Sequence, residues 1–120
     1  MRFLILIGHD EKGSETLDQE QHEGLFAAYQ KYEQELKKAG VLLGGDPLQP
    51  SAGAVRISAE GSKRKVLDGP FTESKEIIGG YLLLEVKSRD EALEWASRCP
   101  AATLGPWSYV EVREIQELPR

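Results

Sequence analysis

The sequence contains little cysteine, little histidine and no long apolar run, and each shortage excludes a class of protein. Cys99 is the only cysteine. An intramolecular disulfide and a cysteine-cluster metal site are therefore excluded, and a reducing compartment with a buried thiol is favoured. The apolar start "FLILI" is too short for a signal peptide, and no later segment approaches a membrane span. We therefore expect a cytoplasmic protein that does not insert into membranes.

Size and charge narrow the function further. The 120 residues fit one domain over 1–120, and the 15 basic and 20 acidic side chains leave a net charge of −5. A nucleic-acid partner is disfavoured by that balance. No glycine-rich phosphate loop leads into a helix, so no cofactor is expected. The spacing of His9 and His22 matches no metal-ligand motif, so no metal is expected either.

Hydrophobic periodicity predicts alternating strands and helices. A first helix is expected from about Leu17 to Ala39, with a capping box formed by Thr16 and Gln19 and a stop at Gly40. A second helix begins after Ser88 and ends by Pro100. The segments that are typical of strands are "RFLILIG", "VLLGG", "AVRISA", "RKVLD", "GYLLLEV" and "SYVEVREI", and the third and fourth of them flank "EGSK" as a hairpin.

This order predicts an α+β protein with a ferredoxin-like antiparallel sheet and two helices on one face. Because "FLILI" and "YLLLEV" are apolar at consecutive positions, their side chains make both faces of the sheet apolar, with Leu83 and Leu84 on opposite faces. The helices cover only one face. We therefore expect a homodimer in which two sheets face each other.

The motif "DGPFTESKE", with "LLGGDPLQP" before it and "GGYLLLEV" and "EALEWASRCPAA" after it, resembles the YCII-related proteins of the DGPF type over nearly the whole chain. The resemblance implies a ferredoxin-like dimeric α+β barrel. It also implies two kinds of role, because some relatives are associated with sigma factors and others are similar to lactone-processing and dehydrochlorinating enzymes. In the enzymatic branch a His on the first helix pairs with an Asp. Those positions fall near Tyr29 and Lys38 here, so that dyad is not carried over.

Asp68, the first residue of "DGPF", is the leading candidate for chemistry, and two main interpretations of it are open beside a role of the motif in docking a partner. In one, Asp68 accepts hydrogen bonds within a turn made by Gly69 and Pro70, and Phe71 fills the core. In the other, Asp68 ends a strand at the mouth of the barrel and acts as an acid or base. Ligand-binding candidates beside it are Gly69, Pro70, Phe71 and Lys75.

Tyr29 and His9 are the remaining catalytic candidates. Tyr29 lies on the buried stripe of the first helix, and His9 follows the first strand directly, in a loop position that often carries function. Two functions of different class stay open. One is a small-molecule-binding dimer that acts as a lyase or isomerase through a pocket Asp with Tyr29 or His9. The other is a non-catalytic dimeric interaction or sensor module linked to a sigma factor.

Overall fold

The computed structural model of the chain describes residues 1–69 and 77–119. Over that range four strands form one antiparallel sheet in the spatial order β2-β5-β1-β6, and two more strands pair as a separate hairpin. The strands are β1 Arg2–His9, β2 Leu42–Pro47, β3 Val55–Glu60, β4 Lys63–Asp68, β5 Ile77–Glu85 and β6 Ser108–Glu114, and the helices are α1 Glu11–Ser14, α2 Gln19–Lys38 and α3 Arg89–Ser97. This plan confirms the predicted ferredoxin-like α+β fold class.

The core lies between one face of the sheet and the helices α2 and α3. Phe3 and Ile5 on β1 and Leu84 on β5 are at most 1 % exposed, and they cluster with Leu36 of α2 and Ala96 of α3. These side chains alternate with less buried ones along each strand, as the period of two requires. The two long helices therefore cover one face of the sheet, as predicted.

The opposite face of the sheet remains half-buried. Leu4 on β1 pairs with Leu83 on β5, and Leu4, Leu6 and Leu83 are each only partly covered. These leucines lie on the face away from α2 and α3, because their neighbours Phe3 and Leu84 point into the core. The chain therefore presents an apolar sheet face that its own helices leave open.

Helix α2 begins two residues later than the sequence indicates, because a stronger cap is available. The Asp18 carboxylate accepts a hydrogen bond from the Gln21 backbone N–H at 2.8 Å, and the Gln21 side chain accepts one from the Asp18 N–H at 2.9 Å. The Thr16 hydroxyl instead donates to the Gly13 carbonyl, so the predicted Thr16 and Gln19 capping box is wrong. The end of the helix is as predicted, because Gly40 adopts a φ of 73° beyond the last turn.

Strands β3 and β4 form a hairpin arm, defined here as residues 55–68. Its turn holds Gly61 with a φ of 63°, and Ile57 lies opposite Val66 in the register. Every residue of both strands is exposed. The hairpin predicted from "AVRISA" and "RKVLD" is therefore present, and it stands apart from the main sheet.

The predicted loop position of His9 is wrong, because His9 is the last residue of β1 and the short helix α1 follows it closely. The Asp10 carboxylate caps it by accepting a hydrogen bond from the Lys12 N–H at 2.9 Å. The Asp10 N–H donates to the Trp107 carbonyl at 2.8 Å, which ties this segment to the approach to β6. None of the helices within residues 1–69 and 77–119 has the length and apolar character needed to cross a membrane.

Candidate active site between α2 and the sheet

A cleft of about 550 Å³ lies between α2 and one end of the sheet. We call it the α2–sheet cleft. Most of its wall is apolar, and the polar residues that line it come from the strands β1, β2 and β5 and from α2. The apolar lining residues include Ile7, Leu25, Phe26, Pro47 and Leu82, and the polar ones include His9, His22, Gln30 and Glu33.

His9 is one of the polar groups that the sheet brings to the cleft, beside Asp46 of β2 and Tyr81 of β5. It is the last residue of β1, beyond an irregularity in the register between β1 and β5 at Ile7 and Gly8. The imidazole lies against Gly79, where an added Cβ would come 2.6 Å from His9 Nδ1 and closer still to Cε1. A side chain at position 79 would therefore occupy the space of the imidazole, and glycine is what lets His9 lie there.

A second cavity of about 270 Å³ lies on the other side of His9. His9 and Gly79 line both cavities, and the smaller one is also lined by Glu11 and Ser14 of α1. The Glu11 carboxylate accepts a hydrogen bond from the Ser51 backbone N–H at 2.8 Å. That hydrogen bonding by Ser51 holds the pKa of Glu11 below its ordinary value. A carboxylate that stays ionised at neutral pH is thus placed in the same cavity as the imidazole.

Tyr29 forms part of the cleft wall, but its hydroxyl is directed into the core. The Cys99 thiol donates to the Tyr29 hydroxyl oxygen across 3.9 Å, and Cys99 is fully buried, as the sequence predicts. Burial raises the pKa of the Tyr29 hydroxyl and also raises the pKa of the Cys99 thiol. Both groups therefore remain protonated at neutral pH. Tyr29 is accordingly better suited to form the wall of the cleft than to transfer a proton.

Asp68 lies at the end of β4, at the base of the hairpin arm. It is exposed and is not among the residues that line either cavity. The adjacent Gly69 N–H donates to the Ala54 carbonyl at 2.7 Å, which closes the base of the arm. The structure therefore brings His9 and Tyr29 to one cleft and places Asp68 on another sheet. The other ligand-binding candidates, Pro70, Phe71 and Lys75, lie outside the described residues.

Apart from His9 and Tyr29, the residues that line the cleft were not among the catalytic candidates from the sequence. Four side chains of α2 that line the cleft, His22, Phe26, Tyr29 and Glu33, repeat at intervals of three or four residues, which is the spacing of one helix face. That spacing was a detectable signal. Asp46 precedes Pro47, a pairing that is typical of a turn, but it lies within β2, lines the cleft and accepts a hydrogen bond from the Tyr81 hydroxyl at 3.1 Å.

The comparison with known protein families agrees with this architecture. The model of the YCII-related domain matches residues 1–116. The chain belongs to the YCII-related family. An uncharacterised protein of Rhizobium meliloti (strain 1021) is 30 % identical over 115 residues, which cover 96 % of this chain and 92 % of that protein.

Among solved structures, this YCII-related chain is similar to 5-chloro-2-hydroxyhydroquinone dehydrochlorinase from Burkholderia phenoliruptrix AC1100, determined in complex with 2,5-dihydroxybenzoquinone. The two share 23 % sequence identity with a TM-score of 0.55, over 97 % of this chain and 94 % of the other. At 23 % identity this similarity shows a shared fold and nothing about activity.

Proposed function

We propose that this YCII-related protein binds a small organic molecule in the α2–sheet cleft and that His9 exchanges a proton with it. The observation that carries the proposal is the contact between His9 and Gly79, which holds an imidazole in the wall of a largely apolar cavity. An imidazole exchanges protons near neutral pH, and a volume of about 550 Å³ is typical of small-molecule sites.

The role proposed for each residue of the cleft follows from its surroundings. The Tyr29 hydroxyl is committed to Cys99 and kept neutral by burial, so its ring forms the floor of the cleft. Glu33 and Gln30 line the same cleft from α2. A ligand that contacts them and His9 has one polar anchor on the helix and one proton partner on the sheet.

The ligand class that fits this lining is a planar, oxygen-substituted ring. The apolar lining favours a ring, while His9, Gln30 and Glu33 favour hydroxyl or carbonyl substituents on it. The dehydrochlorinase with the same fold was solved with a dihydroxybenzoquinone, which supports this choice. Proton transfer to or from such a ring is the chemistry of a lyase or isomerase.

The homodimer predicted from the sequence is part of the proposal. Leu4, Leu6 and Leu83 on the open sheet face need a cover, and a second sheet related by a twofold axis provides one. Sedimentation equilibrium at micromolar concentration should give the dimer mass. A monomer mass would contradict this part of the proposal and leave the proposed cleft chemistry untouched.

The chemistry is tested by a thermal-shift screen of hydroxylated and quinonoid ring compounds, followed by variants assayed with the compound that binds. A ligand at a hundredfold its Kd raises stability by about 2.7 kcal/mol. His9→Gln should lower turnover by about 10²–10⁴-fold. Asp68→Asn is the control, and its turnover should match that of the unmodified protein. The reverse result, with Asp68→Asn inactive and His9→Gln active, would show that Asp68 and not His9 exchanges the proton.

Binding at His9 also has a readout that does not depend on turnover. The chain has two histidines, so ¹⁵N NMR of the imidazoles gives two sets of signals, which His22→Gln assigns. A ligand in the cleft should shift the His9 signals. A ligand that stabilises the protein and leaves the His9 signals unchanged binds elsewhere, which would refute the assignment of the site.

A further inference from the structure

The hairpin arm has one apolar face that residues 1–69 and 77–119 leave exposed. In its register Val55 lies opposite Asp68, Ile57 opposite Val66 and Ala59 opposite Arg64, and paired residues share a face. Val55, Ile57 and Val66 are 54 %, 65 % and 60 % exposed. A two-stranded hairpin is marginal in water unless it packs against something. The arm therefore requires a surface to cover this face.

The arm also extends away from its own domain. The radius of gyration is 16.4 Å, whereas a compact chain of this length has about 14 Å. Each strand of the arm has six residues, which places the turn roughly 20 Å from the base. A hydrogen bond from the Ser51 N–H to the Glu11 carboxylate holds the segment before the arm beside α1. A second hydrogen bond, from the Gly69 N–H to the Ala54 carbonyl, joins the two ends of the arm. An arm that extends in this way carries its turn away from the cleft of the same chain.

Charge indicates which surface the arm fits. The arm carries four basic and two acidic side chains, whereas the rest of the chain carries 11 basic and 18 acidic ones. The acidic excess is concentrated in residues 10–23, which hold six acidic side chains and one basic one. This segment leads directly to the mouth of the α2–sheet cleft. A basic arm on an acidic protein is complementary to another copy of the same chain.

The mouth of the cleft also offers the apolar contact that the arm lacks. Phe26 lines the cleft and is nevertheless 66 % exposed. Glu23, three residues earlier on α2, lies on the same side of the helix as Phe26 and is exposed. An apolar side chain next to a carboxylate matches the apolar face of the arm, where Ile57 and Val66 lie below Arg64.

We infer that the hairpin arm of one copy docks across the acidic, Phe26-bearing mouth of the α2–sheet cleft of a second copy. The exchange is reciprocal in a twofold dimer, so each cleft is completed by its partner's arm. The inference rests on the homodimer of the proposed function and adds to it that the cleft is finished by the partner subunit. The surface is a protein–protein contact, and its occupant is this same chain.

The first test reverses charges singly and in combination. Arg64→Glu on the apolar face of the arm, or Glu23→Lys at the mouth of the cleft, should each weaken the dimer by about tenfold or more at low salt, with a smaller effect at high salt. When the two variants are mixed, one contact of the heterodimer pairs the reversed arm with the reversed mouth and the other pairs an unmodified arm with an unmodified mouth, so association should recover. Sedimentation velocity on wild type, single variants and mixture measures this.

Matched controls exclude a general charge effect. Lys65→Glu changes the same net charge one residue later, on the opposite face of the arm. Glu20→Lys does so on α2, turned about 120° away from Phe26, since each residue advances about 100° around a helix. Both controls alter the overall charge complementarity but lie outside the contact, so they should weaken the dimer much less than Arg64→Glu and Glu23→Lys do. If the controls weaken the dimer as much as Arg64→Glu and Glu23→Lys do, or if the mixture does not recover, the inference is wrong.

The second test probes the apolar contact. Ile57→Lys should weaken the dimer, whereas Ser58→Lys, on the polar face of the same strand, should not. An unchanged dimer in Ile57→Lys would show that the arm has no part in the dimer, although two sheets can still pair. If the wild-type protein is dimeric but binds none of the screened ring compounds, the proposed function is wrong and the arm contact is unaffected. The two failures are therefore distinguishable.

Discussion

Replacing Gly79 by alanine tests whether the contact with His9 shapes the cleft. The new Cβ would lie 2.6 Å from His9 Nδ1, whereas ordinary contact begins at 3.4 Å, so that nitrogen must retreat by about 0.8 Å. Overpacking of this kind costs about 1–3 kcal/mol. We expect the lower part of that range, about 1–2 kcal/mol, because the imidazole borders an open cleft into which it can turn.

A double-mutant cycle separates this clash from any other effect of the added methyl group. In a His9→Ala background the imidazole is absent, so Gly79→Ala should lower the free energy of unfolding only a little. The coupling energy between the two substitutions should be about 1 kcal/mol. Gly80→Ala is the control, since its Cβ would meet the Asp46 carbonyl at 3.2 Å and needs a shift of only a few tenths of an ångström. Urea unfolding measures each free energy of unfolding, and imidazole NMR reports the position of His9.

Two results would refute the reasoning about position 79. The first is an equal cost for Gly79→Ala with and without His9, which would show that the methyl group is opposed by something else. The second is a Gly79→Ala protein whose His9 signals and ligand affinity match those of the unmodified chain. Either result would mean that the space above Gly79 does not decide where the imidazole lies.

Three further predictions concern the cap, the acid limb of stability and the thiol. Asp18→Ala removes the capping box with Gln21 and should lower the free energy of unfolding by about 1 kcal/mol in urea melts; an unchanged midpoint would show that the cap is not needed. The pKa of Glu11 is lowered by Ser51, so its contribution is complete above the ordinary value of 4.5 and is lost as pH falls through the lower folded value. Glu11→Gln should therefore flatten the loss of stability below about pH 4, and an unchanged slope would contradict this. Cys99 is fully buried with a raised pKa, so a thiol reagent should label it only as the protein opens; rapid labelling of the native protein would disprove its burial.

Local patterns accounted for most of the fold. The alternation in β1 and β5, the stop at Gly40 and the Ser88 cap of α3 each depend on residues within a few positions of one another. Helix boundaries were less certain where two caps compete, as Thr16 and Asp18 do at the start of α2. Such competition is decided by small differences in hydrogen bonding, which a pattern of residue types does not resolve.

By itself the sequence determined the order of strands and helices, the antiparallel α+β plan, the burial of Cys99 and an apolar second face of the sheet, because hydrophobic period and capping chemistry act over short distances. Only the tertiary structure decided which groups meet. His9 and Gly79 are 70 positions apart, and they touch because β1 and β5 are neighbours in the sheet with an irregular register at Gly8. Asp68 is part of the most distinctive motif in the chain, yet its strand pairs in the hairpin arm and carries it away from the main sheet. Strand pairing joins segments that are remote in the chain, so the composition of the cleft depends on the whole fold.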